Sequence, residues 1–286
     1  MQEISEHVYI ERAYPGVTLG AINWPHGLIL IDSPFRPEDV RAWRASLLNL
    51  GGGVERLLVN LDVHADRTLG ARAMECTVVG HEKMAQVFRN RPVTFKAQGN
   101  ETGAEWEQYN GLGSIRWAPP EITFTDKIRI YWSEPPLELE YRPGPAAGAI
   151  WAVVPSQQVV FIGDAVLCDQ PPFLAGADLS AWLKTLETLN SPEYANFTVV
   201  NGRNGLIAHK HIQNQIDLLR ELHARLNAMA EAHAVVEDTE SLIPEILKKY
   251  APPAYLAEQY THRLKWGLSQ YFTRHYQSNG AAVEEE

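Results

Sequence analysis

Cysteine is scarce in this sequence, and its scarcity argues against a whole class of fold. Only Cys76 and Cys168 occur among the 286 residues, and neither belongs to a CxxC pattern. Two isolated thiols argue against a disulfide scaffold and are typical of proteins in a reducing compartment. Residues 1–11 carry charges and no long apolar run, so a secretory signal is not expected in this segment. We therefore expect a cytoplasmic protein.

Long apolar segments and an excess of basic residues are also missing. No stretch approaches the roughly 20 apolar residues that a membrane-spanning helix needs, so no membrane partner is expected. Lys and Arg total 25 against 35 Asp and Glu, which gives a formal net charge of −10. Because a broad nucleic-acid interface is usually basic, nucleic acid is not expected as a partner either. A local pair of arginines can still bind a small anion within a negative field.

Alternating strand and helix patterns fill the first third of the chain. Short runs rich in β-forming residues occur at 7–11, 17–23, 28–32, 56–60 and 77–80. Apolar residues at helical spacing cover 38–49, and glycines at 51–53 end that helix. A second, short helix is predicted from Thr68. This alternation predicts an α/β layered fold.

The middle and the tail of the chain differ in pattern. Residues 90–120 are polar and contain glycine, and this composition predicts a segment that is helical in part and otherwise loop. Four strand-like runs at a spacing that suits hairpins then follow at 128–132, 137–141, 150–154 and 159–162. The tail is helical, and the nearest thing to a boundary lies at 233–238. We therefore expect a domain over 1–235, a C-terminal helical extension over 236–278 and an acidic tail over 279–286.

The last predicted helix, at 253–276, carries an apolar stripe that something must cover. Its members recur at three- and four-residue spacing and are Leu256, Tyr260, Leu264, Leu268 and Phe272. Such a stripe packs either on its own domain, where it could also cover the active-site edge, or on a second copy of the chain. Nearby aromatic residues are typical of interfaces, so a homodimer through this helix is one of the two alternatives.

Polar side chains follow the buried strand at 56–60. Asp62, His64 and Asp66 occupy alternate positions, and alternate side chains of an extended backbone point the same way. A carboxylate and an imidazole therefore lie side by side at a sheet edge, and both are metal-binding types. The alternative is that Asp66 only caps the helix predicted from Thr68, with His64 an ordinary loop residue.

Two later strands also end in polar residues. The apolar run that ends at Ile162 leads through Gly163 into Asp164, and glycine permits close approach of the backbone there. A further strand at 199–201 leads into a glycine-flanked segment that contains Arg203. Each pattern is common on its own, and only their order along the chain is specific.

Taken in order, these segments resemble the metallo-β-lactamase superfamily. Residues 14–33 correspond to the first hairpin of that superfamily, and residues 60–67 correspond to its HxHxDH loop. Residues 143–148 correspond to its PGHTxG turn. Asp164 corresponds to its bridging aspartate, and residues 202–204 correspond to its last histidine loop. The resemblance spans about residues 4–210. It implies an αββα sandwich of the α/β class and metal-dependent hydrolysis of a small-molecule substrate.

The first metal site that the resemblance implies is only partly present. The superfamily holds this metal with the first two histidines of HxHxDH and the histidine of PGHTxG, where this chain has Asp62, His64 and Pro145. A proline side chain cannot ligate, whereas the bridging acid is retained as Asp164. The prediction is at most one divalent metal, held by Asp62, His64 and Asp164. Two carboxylates and one imidazole suit iron or manganese as well as zinc.

The second metal site has lost its histidines. In place of an aspartate and two histidines the chain has Asp66, Arg67 and Arg203. In a hydrolase, Asp66 would act as base or water orienter, and the two arginines would hold an anionic or carbonyl group of the substrate. Alternatively, the arginines pair with the carboxylates in place of a cation. The protein would then be a metal-free pseudoenzyme or a small-anion-binding protein.

Overall fold

Two β-sheets form the centre of the protein. The computed structural model describes residues 1–96 and 102–277. The first sheet runs in chain order and consists of β1 (Gln2–Ser5), β2 (Val8–Glu11), β3 (Leu19–Asn23), β4 (Gly27–Ile31), β5 (Glu55–Val59), β6 (Thr77–His81) and β7 (Ile122–Phe124). Strands β1 to β4 pair antiparallel, whereas β4 to β7 pair in parallel.

The second sheet has the order β13-β12-β11-β10-β9-β8. Its strands are β8 (Lys127–Ile130), β9 (Leu137–Tyr141), β10 (Ile150–Val154), β11 (Val159–Phe161), β12 (Thr198–Asn201) and β13 (Gly205–Ile207). Strands β8 to β11 are antiparallel neighbours, as the hairpin spacing predicts, and only β11 and β12 pair in parallel. The sequence patterns did not predict the short strands β1, β7 and β13, because three or four residues carry little periodicity.

Helices cover the outer faces of both sheets. They are α1 (Pro37–Leu47), α2 (Ala65–Thr68), α3 (Glu82–Asn90), α4 (Leu179–Leu189), α5 (His209–Glu231), α6 (Ile243–Tyr250) and α7 (Ala254–Phe272). Strand β10 shows why the layers form: Ile150 and Ala152 belong to the apolar cluster between the sheets, while Trp151 and Val153 belong to the cluster under the helices. Side chains alternate across a strand, so a strand that is apolar throughout needs cover on both faces. The layers confirm the predicted αββα sandwich.

The C-terminal helices share a core with the sandwich. Leu264, Leu268 and Phe272 of α7 are buried in the same apolar cluster as residues of β10, α4 and α5. The stripe of α7 is therefore covered by its own chain, which is the first of the two predicted alternatives. The homodimer and the division at residue 235 stay predictions. The acidic tail and residues 97–101 of the predicted loop lie outside the described residues.

One predicted helix begins in a different place. The helix expected from Thr68 instead ends at that residue, because α2 spans Ala65–Thr68. Asp66 lies inside it and does not cap it. Within the described residues, no helix is both long and apolar enough to cross a membrane. The cytoplasmic location stays a prediction.

Candidate metal and arginine site

Strand ends from both sheets meet at one edge of the sandwich. In the first sheet, β4 and β5 are parallel, so Asp32 and the segment after Val59 leave the same edge. In the second sheet, β11 and β12 are parallel, which places Asp164 beside the segment that holds Arg203. A backbone hydrogen bond from Ile150 N to Leu61 O (2.9 Å) joins the two sheets here. Polar side chains from separate strands therefore converge.

Asp62, His64 and Asp164 lie together, with one ligand atom of each within 4.8 Å of the others. His64 Nδ1 is 3.1 Å from Asp62 Oδ1 and 3.3 Å from Asp164 Oδ2. Both carboxylates are buried, while 22% of the His64 side chain is exposed. Within the described residues, Asp62 Oδ2 and His64 Nδ1 have no hydrogen-bond partner of acceptable geometry.

These three residues fit a divalent cation. Ligands at about 2.1 Å from a metal lie roughly 3.0–3.4 Å from one another, which matches the two separations at His64. A buried carboxylate oxygen without a partner is costly, and a cation would provide the missing interaction at Asp62. An imidazole and two carboxylates are ordinary ligands for zinc, iron and manganese.

Arg67 lies among three carboxylates and has no exposed side-chain surface. Its Nη1 is 3.3 Å from Asp32 Oδ2, its Nε is 3.3 Å from Asp62 Oδ1, and its Nη2 donates to Asp164 Oδ1. The backbone oxygen of Arg67 accepts a hydrogen bond from Asn60 Nδ2 at 3.1 Å. A residue that binds substrate needs accessible surface. The predicted substrate contact at Arg67 would therefore require rearrangement of this cluster.

Arg203 joins the two acids that the second metal would use. Its Nε donates to both oxygens of Asp164 at 3.1 and 3.0 Å, and its Nη1 donates to Asp66 Oδ2 at 2.9 Å. The other oxygen of Asp66 accepts from the backbone N–H of Trp106 at 2.9 Å. Asp66 is buried, and both of its oxygens are engaged. The predicted role of Asp66 as a base therefore requires that one of these bonds break.

Burial and neighbouring charges shift the pKa values of three acids in this cluster. Burial raises the pKa of Asp32 to about 7, although Arg67 opposes the rise. For Asp62, burial is outweighed by Arg67 and His64, so its pKa lies below the ordinary value. Burial of Asp164 is likewise outweighed by both arginines and His64, which hold its pKa well below the usual range. The protein's own cations therefore hold Asp62 and Asp164 in their ionised forms, which are the forms that can bind a metal.

Phe173 and Arg263 complete the site, and no sequence pattern points to either. The Phe173 ring centroid lies 5.1 Å from that of His64. The guanidinium carbons of Arg203 and Arg263 lie 4.5 and 3.9 Å from the same ring. Phe173 belongs to the irregular segment after Asp164, and Arg263 belongs to α7. The sequence marks Asp32 only as the end of an apolar strand.

No protein-family model matches the chain, and no curated protein matches its sequence. Solved structures do resemble it. A metallo-beta-lactamase from Pontibacter korlensis aligns with a TM-score of 0.59 and 21% identity over 77% of this chain and 97% of that chain. A metallo-beta-lactamase family protein from Thermus thermophilus aligns at 0.62 and 17% over 95% and 94%.

The stereoselective inverting sec-alkylsulfatase Pisa1 from Pseudomonas sp. aligns with a TM-score of 0.66 and 15% identity over 99% of this chain. The alignment covers 52% of the sulfatase, so this chain spans about half its length. Identities of this size show a shared fold and leave the chemistry open. Together with the two sheets and their outer helices, these neighbours show that the chain has the metallo-β-lactamase fold.

Proposed function

We propose that this protein is a hydrolase of the metallo-β-lactamase type that acts on a small-molecule substrate with a single divalent cation. Asp62, His64 and Asp164 would hold the cation. The observation that carries the proposal is the convergence of Asp62 Oδ1 and Asp164 Oδ2 on His64 Nδ1, together with the other oxygen of Asp62, Oδ2, which has no hydrogen-bond partner among the described residues. When bound in such a site, a divalent cation polarises the scissile group and lowers the pKa of a bound water.

The position of a second cation is filled by protein. The Arg203 guanidinium lies between Asp66 and Asp164, the two acids that would otherwise share that metal. Because an arginine stays protonated, it supplies a permanent positive charge without coordination chemistry. In this proposal Asp66 orients Arg203. The positive charge of Arg67 compensates the negative charges of the buried acids that it contacts, which are Asp32, Asp62 and Asp164.

Neither arginine presents its guanidinium group freely, because 2% of the Arg203 side chain and none of the Arg67 side chain is exposed. Arg203 nevertheless lies nearer to open space. It borders an open, polar cavity of about 560 Å³, together with Arg12, Asp169 and Asn204. Glu11 also lines this cavity, so its surface carries both signs of charge. A substrate with an anionic or carbonyl group would reach the Arg203 guanidinium only after its pairs with Asp66 and Asp164 open. Arg67 does not line this cavity and has no exposed side-chain surface.

Metal content tests this proposal directly. Purified protein, stripped and then reconstituted separately with zinc, manganese and iron(II), should hold up to one equivalent by elemental analysis. His64→Ala and Asp62→Asn should lose it, because each removes one of the converging ligands. His209→Ala is the matched control, since His209 is an exposed residue at the start of α5. Wild-type protein that holds no metal under any of these conditions would rule the proposal out.

A metal-free protein on the same fold is the second candidate. It is favoured by the fact that Asp62, Asp66 and Asp164 each already contact a guanidinium group. Such a protein would be a pseudoenzyme or would bind a small anion at Arg203. It predicts no metal, no effect of chelators on thermal stability, and stabilisation by millimolar inorganic sulfate or phosphate.

A further inference from the structure

One guanidinium group of the C-terminal helix joins three segments of the chain. Arg263 lies in α7, and its residue surface is 2% exposed. Its Nε and Nη2 donate to Gly103 O at 3.1 and 2.8 Å. Its Nη1 donates to Gln170 Oε1 at 2.6 Å and to Pro171 O at 3.1 Å. Two irregular loops are thereby attached to α7.

The first of these loops leads to Asp66. Gly103 has a φ of +63°, and a Cβ there would lie 2.4 Å from Gln259 O, so the close contact with α7 requires glycine. The side chain of Glu107 accepts from Gly103 N at 2.9 Å and fixes the turn. Three residues after Gly103, the backbone N–H of Trp106 donates to Asp66 Oδ1 at 2.9 Å. The position of this donor therefore depends on where α7 holds the loop.

The second loop leads to the cover over His64. Beyond Gln170 and Pro171 the chain reaches Phe173, whose ring contacts the guanidinium groups of Arg263 and Arg203. Cation–π contacts at 3.9 and 4.5 Å fix the ring beside the imidazole of His64, at 5.1 Å between centroids. Arg263 therefore acts on both sides of the site.

Burial of the charged guanidinium group of Arg263 costs free energy of folding. Among the described residues its hydrogen-bond partners are neutral oxygens, and it forms no ion pair. Burial and the nearby Arg203 lower the pKa of Arg263 to about 10, so it stays charged at neutral pH. An apolar side chain would pack on the domain without this cost, as Leu264 and Leu268 do. What an apolar residue cannot supply is several donors in one plane.

We propose that Arg263 is a positioning residue for this site. It sets the Trp106 N–H on Asp66 and the Phe173 ring over His64, so that α7 forms part of the site. The catalytic meaning of this inference rests on the proposed function, whereas the contacts themselves need no bound metal.

Hydrogen exchange and cobalt spectroscopy test the role of Arg263 in the full chain. Arg263→Met removes the donors and keeps the bulk. Leu268→Ala is the control, because it removes buried apolar volume from the same helix and lowers stability without removing any hydrogen bond of Arg263. The two readouts are amide exchange of peptides that contain Trp106 and Phe173, and the visible absorption of the cobalt(II)-loaded protein, which reports ligand geometry at His64.

In Arg263→Met, the amide protons of both peptides should exchange roughly tenfold faster, and the cobalt absorption should shift. In Leu268→Ala, neither readout should change by more than the loss of global stability explains. Arg263→Lys keeps the charge but cannot reach both loops, so it should restore protection in one peptide at most. Wild-type behaviour of Arg263→Met, an equal change in Leu268→Ala or full restoration by lysine would overturn the inference. If wild-type protein binds no cobalt, the proposed function fails, and the exchange data still decide the role of Arg263.

Discussion

Arg203 Nε lies 3.1 and 3.0 Å from the two oxygens of Asp164, so one N–H group of the guanidinium donates to both oxygens of the carboxylate. The same side chain reaches Asp66 through Nη1. Both acids are buried, and they come from different sheets, because Asp66 lies in α2 after β5 and Asp164 lies after β11. One arginine side chain thus joins the two halves of the sandwich.

Removal of this cation should destabilise the fold. In Arg203→Met the two buried acids lose their common partner, although Arg67 still contacts Asp164. Breaking a buried pair costs about 3–5 kcal/mol, which lowers the melting temperature of a chain of this size by roughly 10 °C. Calorimetry measures it, with Arg220→Met as control because Arg220 forms an exposed pair. An unchanged melting temperature would show that the Arg203 contacts contribute nothing to stability.

Exchange of the same arginine for a ligand should create a second metal site. Arg203→His leaves Asp66 and Asp164 without their cation and adds an imidazole beside them. Two carboxylates and a histidine are a sufficient set for a divalent metal. We expect the variant to hold one more equivalent of zinc than wild-type protein by elemental analysis. Arg203→Met is the control, since it removes the charge and adds no ligand, and equal zinc in the two variants would contradict the prediction.

The part of the site that the sequence predicts is the part fixed by short-range geometry. Asp62 and His64 are two residues apart in the sequence, so they stay close together whatever the rest of the chain does. The structure places them after the end of β5, where His64 N donates to Asp62 Oδ1 at 2.9 Å across a bend, and not on the extended backbone that the pattern predicts. Their approach to Asp164 depends on the order of strands, which the resemblance to a known superfamily supplies. Phe173 and Arg263 are different, because loop and helix packing brings them in from distant parts of the chain. No local sequence pattern predicts such contacts.

The same limit explains the error at α2. A carboxylate just before an expected helix predicts a cap, and Asp66 fits that pattern. Its oxygens instead bind Trp106 N and Arg203, which lie 40 and 137 positions away in the chain. Long-range partners therefore outweighed the local preference. The layers of the fold were easier to predict, since fully apolar strands such as β10 require cover on both faces.

Gly202 should tolerate no side chain. A Cβ at this position would lie 2.6 and 2.7 Å from Nη1 and Nη2 of Arg67 and 2.8 Å from Asp164 Oδ1. Arg67 cannot move aside, because carboxylates hold it on several sides. Gly202→Ala should therefore lower the free energy of unfolding by about 1–3 kcal/mol in urea denaturation. Gly113→Ala is the matched control, because its Cβ would meet no described atom within 4 Å. Equal stability of the two variants would argue against the packing at Arg67.

The covered face of α7 should stabilise the single chain. Phe272 is 1% exposed within its own chain, and truncation of a buried phenylalanine to alanine costs about 3–5 kcal/mol. Phe272→Ala should lose this amount in urea denaturation at every protein concentration. Tyr255→Ala, at an exposed position of the same helix, should lose little. A loss that shrinks or grows with protein concentration would indicate instead that a second copy covers the helix.

Both cysteines should react slowly in the folded protein. Burial raises the pKa of Cys76 and of Cys168 to about 11, above the ordinary value of 9.0. Only the thiolate attacks a disulfide reagent, and at pH 8 a thiol with a pKa of about 11 is ionised in roughly one molecule in a thousand, against about one in ten for an ordinary thiol. The reaction with an aromatic disulfide should therefore be about 100-fold slower than in urea-unfolded protein.

The direction of the pKa shift determines how the rate of the thiol reaction depends on pH. Since a raised pKa leaves less thiolate at a given pH, the folded-state rate should increase about tenfold per pH unit from pH 7 to 10. Cys76→Ser and Cys168→Ser assign the two rates in stopped-flow measurements. A rate that levels off near pH 9 in either single-cysteine variant would show that its thiol has the ordinary pKa, and that its surroundings are more open to water than the structure indicates.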